Sequence, residues 1–316
     1  MVISASRTKD IVRHSPDKLT SMLKGENDCR LSFAGKSFRL SLEDIHTLVL
    51  WTKSPRNILY NKSLNEILND YVRNYNGLIY LQLTVTGFGG SFIEYDIPYY
   101  QEVFSIIKKI LETNLIFPES VKLRYDPYLK IITPNGYEIT NVKSELFEEI
   151  VSCFSSIGIK NYTTSEVDFV NYPQVKKRIE GLGLNIVKPS ERESTDFIKK
   201  IEQICKKYDS FFSICCNPYI SEFVSRQGCI DGKLFNEIKN RRFGNDTSFA
   251  DVRLHNKVTG GQRPNCFCTY SYDIGYSRGF TTCYKNQSGC IYCYSQQNMN
   301  KKLKQKIIEK INLSKS

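Results

Sequence analysis

Residues 78–126 decide the fold. They open with LIYLQLTVTG (78–87), pass through YYQEVFSIIKKILETN (99–114) and close with SVKLRYD (120–126). The outer runs read as strands and the middle one as an amphipathic helix. Strand, helix, strand in that order is the repeating unit of an α/β protein with a parallel sheet.

The same grammar extends in both directions. Further strands are expected at VISAS (2–6), HTLVLWT (46–52), TTSEVDFV (163–170) and FFSICC (211–216). Helix-like stretches fall between them at SPDKLTSMLKG, SLNEILNDYVRNY, NVKSELFEEIVSCFSSIG and SERESTDFIKKIEQICKKYD. Ser15-Pro16-Asp17 reads as a helix start, with Pro16 near the first helical position. RLSFAGKSFRL (30–40) is expected to form a hairpin turning at Gly35, and Pro173–Lys188 a helical excursion. No GxGxxG turn follows any strand, so the units suggest a TIM-like or partial (β/α) barrel rather than a dinucleotide fold. In such a barrel the carboxyl ends of the strands share one rim. The polar residues found there are Arg7, Lys53, Thr84, Gly87, Arg124, Asp126, Asp168 and Cys215.

From about residue 217 the periodicity fades into loops rich in Gly, Asn, Arg and Cys. The expected organisation is therefore an α/β barrel-like domain (1–216), a cysteine-rich metal-binding cap (217–299) and a basic C-terminal helix (300–316). KKLKQKIIEKI (301–311) places Leu303, Ile307, Ile308 and Ile311 on or near one side.

Eight of the 11 cysteines lie between 215 and 293, against three histidines in the whole chain. A disulfide scaffold needs an oxidising compartment and usually a small core. With 316 residues, and with MVISASRTKD lacking the zones of a signal peptide, a cytoplasmic address is expected and clustered thiols point to metal. Cys283, Cys290 and Cys293 form one group with no nearby histidine. A closed structural zinc wants four protein ligands, whereas three thiolates can hold a [4Fe–4S] cluster with one iron open. Cys215, Cys229, Cys266 and Cys268 number four, as a closed iron–sulfur or zinc site requires; Cys216 is an alternative to Cys215. A single site of three cysteines borrowing Cys266 or Cys268 is a further arrangement. Cys153 and Cys205 sit in helix-like runs and read as core residues.

The formal charge is +11, from 44 basic and 33 acidic residues, and residues 301–316 alone supply +5 through six lysines and one glutamate. Such a balance suits either a soluble basic protein or one that contacts nucleic acid. No apolar run reaches the roughly 18 residues of a membrane span, so a membrane protein is not expected.

ISASRTKDI (3–11), LVLWTKSP (48–55), QLTVTGFG (82–89), KLRYDP (122–127), TSEVD (164–168), CCN (215–217), CID (229–231), RPNCFCTYSYDIGY (263–276) and CYKNQSGCIYCYS (283–295) together resemble an uncharacterised bacterial family of unknown function. The final CIYCY is similar to the cysteine signature of radical S-adenosylmethionine enzymes, in which an aromatic residue, here Tyr292, usually precedes the last thiolate. Six residues separate the first two cysteines where three are usual in those enzymes, and the motif lies near the C-terminus rather than after the first strand. The resemblance implies a [4Fe–4S] cluster on Cys283, Cys290 and Cys293, S-adenosylmethionine bound near Tyr292 and Gly87, and a reducing electron donor. It also implies a second cluster or zinc on Cys215, Cys229, Cys266 and Cys268. Arg7, Lys53 and Arg124 would then meet an anionic group, and Asp126 and Asp168 would orient those cations, bind hydroxyls or move a proton. A loose similarity to spore photoproduct lyase makes nucleic acid or a nucleotide a candidate substrate.

Two rivals stand beside that reading. Helix-hairpin-helix glycosylases begin their cluster loop with the same C-x6-C-x2-C spacing, but the fourth position here is Met299. A zinc protein binding nucleic acid without radical chemistry is the other.

Overall fold

The computed structural model describes residues 1–30, 37–215, 224–225, 227–244, 248–259, 266–294 and 298–313. Cys216 and Gly35 lie outside them. Seven parallel strands form the central sheet: β1 (Val2–Ala5), β2 (Thr47–Thr52), β3 (Leu78–Thr84), β4 (Val121–Tyr128), β5 (Asn161–Glu166), β6 (Phe211–Ile214) and β7 (Tyr272–Asp273). Their order in space is β6-β5-β4-β3-β2-β1-β7. The first six strands thus lie in chain order with no reversal. A sheet wound in one direction stacks its crossover helices on one face. The protein is a mixed α/β structure on this sheet, with β6 and β7 at the edges of the hydrogen-bonded order and no closing pair between them among the described residues.

Strand parity sorts the residues. Ile3, Ala5, Leu48, Leu50, Ile79, Leu81, Leu83, Val121, Leu123, Tyr125, Tyr162, Phe212 and Ile214 face the crossover helices and bury with Leu64, Leu68, Val103, Ile107, Phe147, Ile150, Phe197 and Ile201. Cys205 belongs to this core and Cys153 packs at its margin. The opposite parity carries Ser4, Gln82, Lys122, Arg124, Asp126, Thr163 and Ser213, with Val2, Val49, Leu78 and Tyr80 as its apolar part. One face is a hydrophobic seal and the other a polar floor.

Several segments differ from the sequence expectation. A helix, α1 (Gly232–Phe243), lies on the polar face where loops were expected, with Phe235 against Tyr80 at 4.7 Å between ring centroids. Tyr272–Asp273, expected in the cap, extends the main sheet beside β1. The Pro173–Lys188 stretch is helical only through Glu180, because Gly181 and Gly183 break it. Residues 185–187 then pair antiparallel with Lys130–Ile132, which also pairs with Glu138–Thr140. The fifth strand starts at Asn161, two residues early, and Cys29–Arg30 pairs with Ser37–Phe38 as a short hairpin.

The C-terminal helix, α2 (Lys301–Leu313), buries Leu303, Ile307 and Ile311 as expected. They join Phe88, Ile93, Ile131, Ile179, Ile291 and Tyr292 in a second hydrophobic cluster. The helix therefore clamps the last cysteine loop to the body.

Candidate metal centres

The three-cysteine group lies beyond the carboxyl ends of the strands, and the four-cysteine group runs from the end of β6 across the polar face. Cys215 follows β6, and its N–H donates to Thr164 O at 3.0 Å. Gly289–Cys290 pairs antiparallel with Glu94–Tyr95, so Cys290 faces Glu94 in register just beyond β3 and beside Lys53 at the end of β2.

The four-cysteine group is built across the polar face. Cys229 Sγ and Cys215 Sγ stand 3.6 Å apart. Cys229 also contacts Cys268, which in turn contacts Cys266. Cys215, Cys229 and Cys268 are buried and Cys266 is half-buried. The backbone explains the approach: a Cβ on Gly228 would lie 2.5 Å from Phe267 O and 2.8 Å from Cys268 Cα. Only glycine lets the two segments close, and Thr269 N donates to Ile230 O at 2.9 Å to fix them.

Two cations of β4 reach this group. Arg124 Nη1 donates to Cys229 Sγ at 3.0 Å; the same guanidinium pairs with Asp126 and stacks 4.8 Å above Trp51. Lys122, fully buried, donates to Gln227 Oε1 at 2.8 Å and Gly228 O at 3.1 Å. Sulfur contacts from Cys215 and Cys268, helped by Arg124 and Lys122, hold the Cys229 thiol well below its ordinary value against the opposing effect of burial. Cys268 moves the other way, because it shares its proton with Cys229 and Cys266 and is buried. Burial lowers Lys122, and the neighbouring thiols and Asp231 only partly offset this.

The three-cysteine group lies in the loop under α2. Cys283, Cys290 and Cys293 are half-buried and each lies within electrostatic reach of another. Burial, then Asp10 and Cys293, pushes the Cys283 thiol up to about 12. Burial likewise raises Cys290, with Lys53 opposing. Lys53 Nζ bonds Glu94 Oε1 at 2.7 Å and Tyr292 Oη at 3.0 Å. Burial by itself would lower Lys53, but Glu94 and Cys290 outweigh it and the net shift is upward. Glu94 Oε1 also accepts from Thr86 Oγ1 at 2.6 Å and from Tyr292. Asp10, raised by burial, accepts from Thr52 Oγ1 at 3.0 Å and Lys53 N at 2.9 Å.

Thiols held this high are protonated without metal, so an incoming ion must displace their protons. Among the described residues, no group of three or more Cys, His, Asp or Glu side chains stands in an ion-holding geometry. The sulfurs are juxtaposed, not converged. The donors are thiols, with the His255 ring near Cys266, a set that suits zinc or iron–sulfur chemistry and not a hard cation.

The other expected site residues fall at distinct places. Arg7 donates from its N–H to Asp273 Oδ2 at 3.0 Å and from Nη2 to Ser271 Oγ at 3.0 Å. Asp126 accepts from Ser165. Asp168 caps a local turn through Asn171 N and Nδ2, both at 2.9 Å, while its N–H donates to Tyr294 Oη at 3.1 Å. Gly87 has φ +81° and its missing Cβ faces Leu146, so it serves the packing of a helix there. Arg124 meets the four-cysteine group at Cys229, and Lys53 lies beside Cys290 of the other.

Glu94, Asp10, Lys122 and Trp51 were not singled out from sequence. Lys122 had a signal, since K-x-R-x-D in a buried strand puts three charges on one face. Glu94 had none, because its segment shows no period.

A family model described as domain of unknown function (DUF1848) matches residues 2–295. The chain belongs to this family. No curated protein and no solved structure matches it. The DUF1848 match spans every cysteine of both groups and ends before α2 begins.

Proposed function

We propose that the protein is an iron–sulfur enzyme of the radical S-adenosylmethionine type. In this reading Cys283, Cys290 and Cys293 hold a [4Fe–4S] cluster with one iron open, and the sheet is a partial barrel whose rim carries a cysteine-rich cap. The observation that carries the reading is the grouping of these three half-buried thiols beside Lys53, Glu94 and Tyr292 at the carboxyl end of the parallel strands. Held by those three thiolates, such a cluster would pass one electron from a reduced donor for cleavage of the sulfonium of S-adenosylmethionine into methionine and a 5′-deoxyadenosyl radical, the chemistry that would take a hydrogen atom from substrate.

The chain's own residues have separate tasks. Lys53, fixed by Glu94 and Tyr292, presents positive charge beside Cys290 and suits a carboxylate of the cofactor. Arg7, anchored on Ser271 and Asp273, suits an anionic substrate group at the first strand end. Asp126, held by Arg124 and Ser165, and Asp168 are the acids available for hydroxyls or a proton. The polar face supplies the buried polar side chains of the site, and the crossover helices cover the sheet on the other side. Cys215, Cys229, Cys266 and Cys268 hold a second cluster or a zinc. The +11 charge favours a nucleotide or nucleic-acid substrate.

A second reading, a zinc protein that binds nucleic acid without radical chemistry, is favoured by exposed Phe249 and Tyr276 in the same stretch as exposed Arg253. One experiment separates them. The anaerobically purified and reduced protein is incubated with S-adenosylmethionine, and 5′-deoxyadenosine is measured. Its formation supports the enzyme; its absence in a chain loaded with iron rejects radical chemistry.

A further inference from the structure

We propose that Lys122 and Arg124 are built-in countercations for a dianionic metal–tetrathiolate centre on Cys215, Cys229, Cys266 and Cys268. The inference rests on the reading of those four sulfurs as a metal site and adds what charge state the fold is made to hold.

Lys122 is 0% exposed in the middle of the sheet's polar face. Its two hydrogen-bond acceptors, Gln227 Oε1 and Gly228 O, are neutral. Among the described residues no carboxylate forms an ion pair with it. A buried ammonium without an opposite charge is costly and is retained only where something repays it. The two neutral oxygens that accept from it do not. Four thiolates around a dication leave two negative charges, whether the centre is zinc or an oxidised [4Fe–4S] cluster. Cys229, Cys268 and Cys215 are the groups whose negative charge Lys122 would feel most directly, together with Asp231.

Arg124 completes the arrangement differently. It donates directly to Cys229 Sγ at 3.0 Å, is oriented by Asp126 and rests on Trp51. Its charge is shared with a carboxylate, so it acts chiefly as a hydrogen-bond donor to sulfur. Lys122 supplies the unshared charge. Hydrogen bonds and charge around sulfur tune both metal affinity and potential.

The test uses the full-length chain carrying Cys290→Ala, so that cobalt(II) reports the four-sulfur group. Cobalt uptake is followed by its thiolate charge-transfer absorption and by competition with a chelator, for wild-type Lys122, Lys122→Met and Lys122→Arg. Lys122→Met is expected to weaken cobalt binding by about 10- to 100-fold, and Lys122→Arg to restore most of it. The metal-free Lys122→Met chain should be at least as resistant to urea as its parent, since an uncompensated buried charge has been removed. This opposite sign is what a residue with a purely packing role would not produce. Equal cobalt affinity in Lys122→Met and its parent overturns the inference alone. A parent that takes up no cobalt, or takes it up equally after Cys229→Ala, overturns the metal site as well.

Discussion

Glu94→Gln isolates the charge of the Lys53–Glu94 pair. Lys53, Thr86 and Tyr292 all donate to the same oxygen, Oε1, and Glu94 is 2% exposed. A glutamine amide oxygen in that position has two lone pairs for these donors, so the shape and most of the hydrogen bonding survive while the negative charge goes. Lys53, 14% exposed at its side chain, would then be a buried cation facing neutral groups. Removing one partner of a buried pair costs about 3–5 kcal/mol; retention of the acceptors places the expected loss near about 3 kcal/mol. For a chain of this length that is a fall in melting temperature of about 4–5 °C. Urea unfolding at neutral pH measures it, with Lys53→Met/Glu94→Gln as the companion. The double variant should recover most of the loss, because it leaves no orphaned charge. A Glu94→Gln chain within about 0.5 kcal/mol of wild type, the size of an ordinary surface change, would refute the claim that this pair is a desolvated ion pair.

Three further outcomes are expected. Ile307→Ala, at a fully buried position of α2, should destabilise the fold by about 2–4 kcal/mol in urea and loosen the cysteine loop that α2 covers. Acidification should destabilise the protein through His14, which burial and Arg13 lower to about 4 and whose Nε2 has no hydrogen-bond partner among the described residues. The unfolded chain binds this proton below about pH 6.5 and the folded one only near 4, so stability falls across that window, by about 1–3 kcal/mol. His14→Phe should flatten that acid limb in urea titrations at several pH values. Finally, Cys290→Ala should remove the iron of the three-cysteine group, whereas Cys153→Ala, at the margin of the helix-facing core, should leave iron content unchanged by metal analysis.

The sheet was legible because strands buried on both sides write themselves as apolar runs, as LIYLQLT (78–84) does. The start of β5 was not, since Asn161 is polar and faces the polar side, while Tyr162 carries a hydroxyl into the core. The α1 helix escaped notice because its buried positions are Gly232, Phe235, Ile238 and Lys239, only two of them apolar. Its helical period is written by what it packs on, not by its own composition. Cysteine spacing put Cys229 with Cys268, and Cys283 with Cys290 and Cys293, and the structure places these thiols near one another. Spacing could not foretell that the first group lies across the floor of the sheet, because that depends on the close approach at Gly228. The charged residues were harder to read. Arg124 was visible at a strand end, yet its contact with Cys229 arises from two segments 105 residues apart.

Metal and acid-labile sulfide per chain, measured after anaerobic purification of the wild-type protein, address the central claim most directly. About four irons with matching sulfide are expected at Cys283, Cys290 and Cys293, accompanied by either about four more irons or about one zinc at the other group. A chain that carries zinc alone, or neither metal nor sulfide, contradicts it.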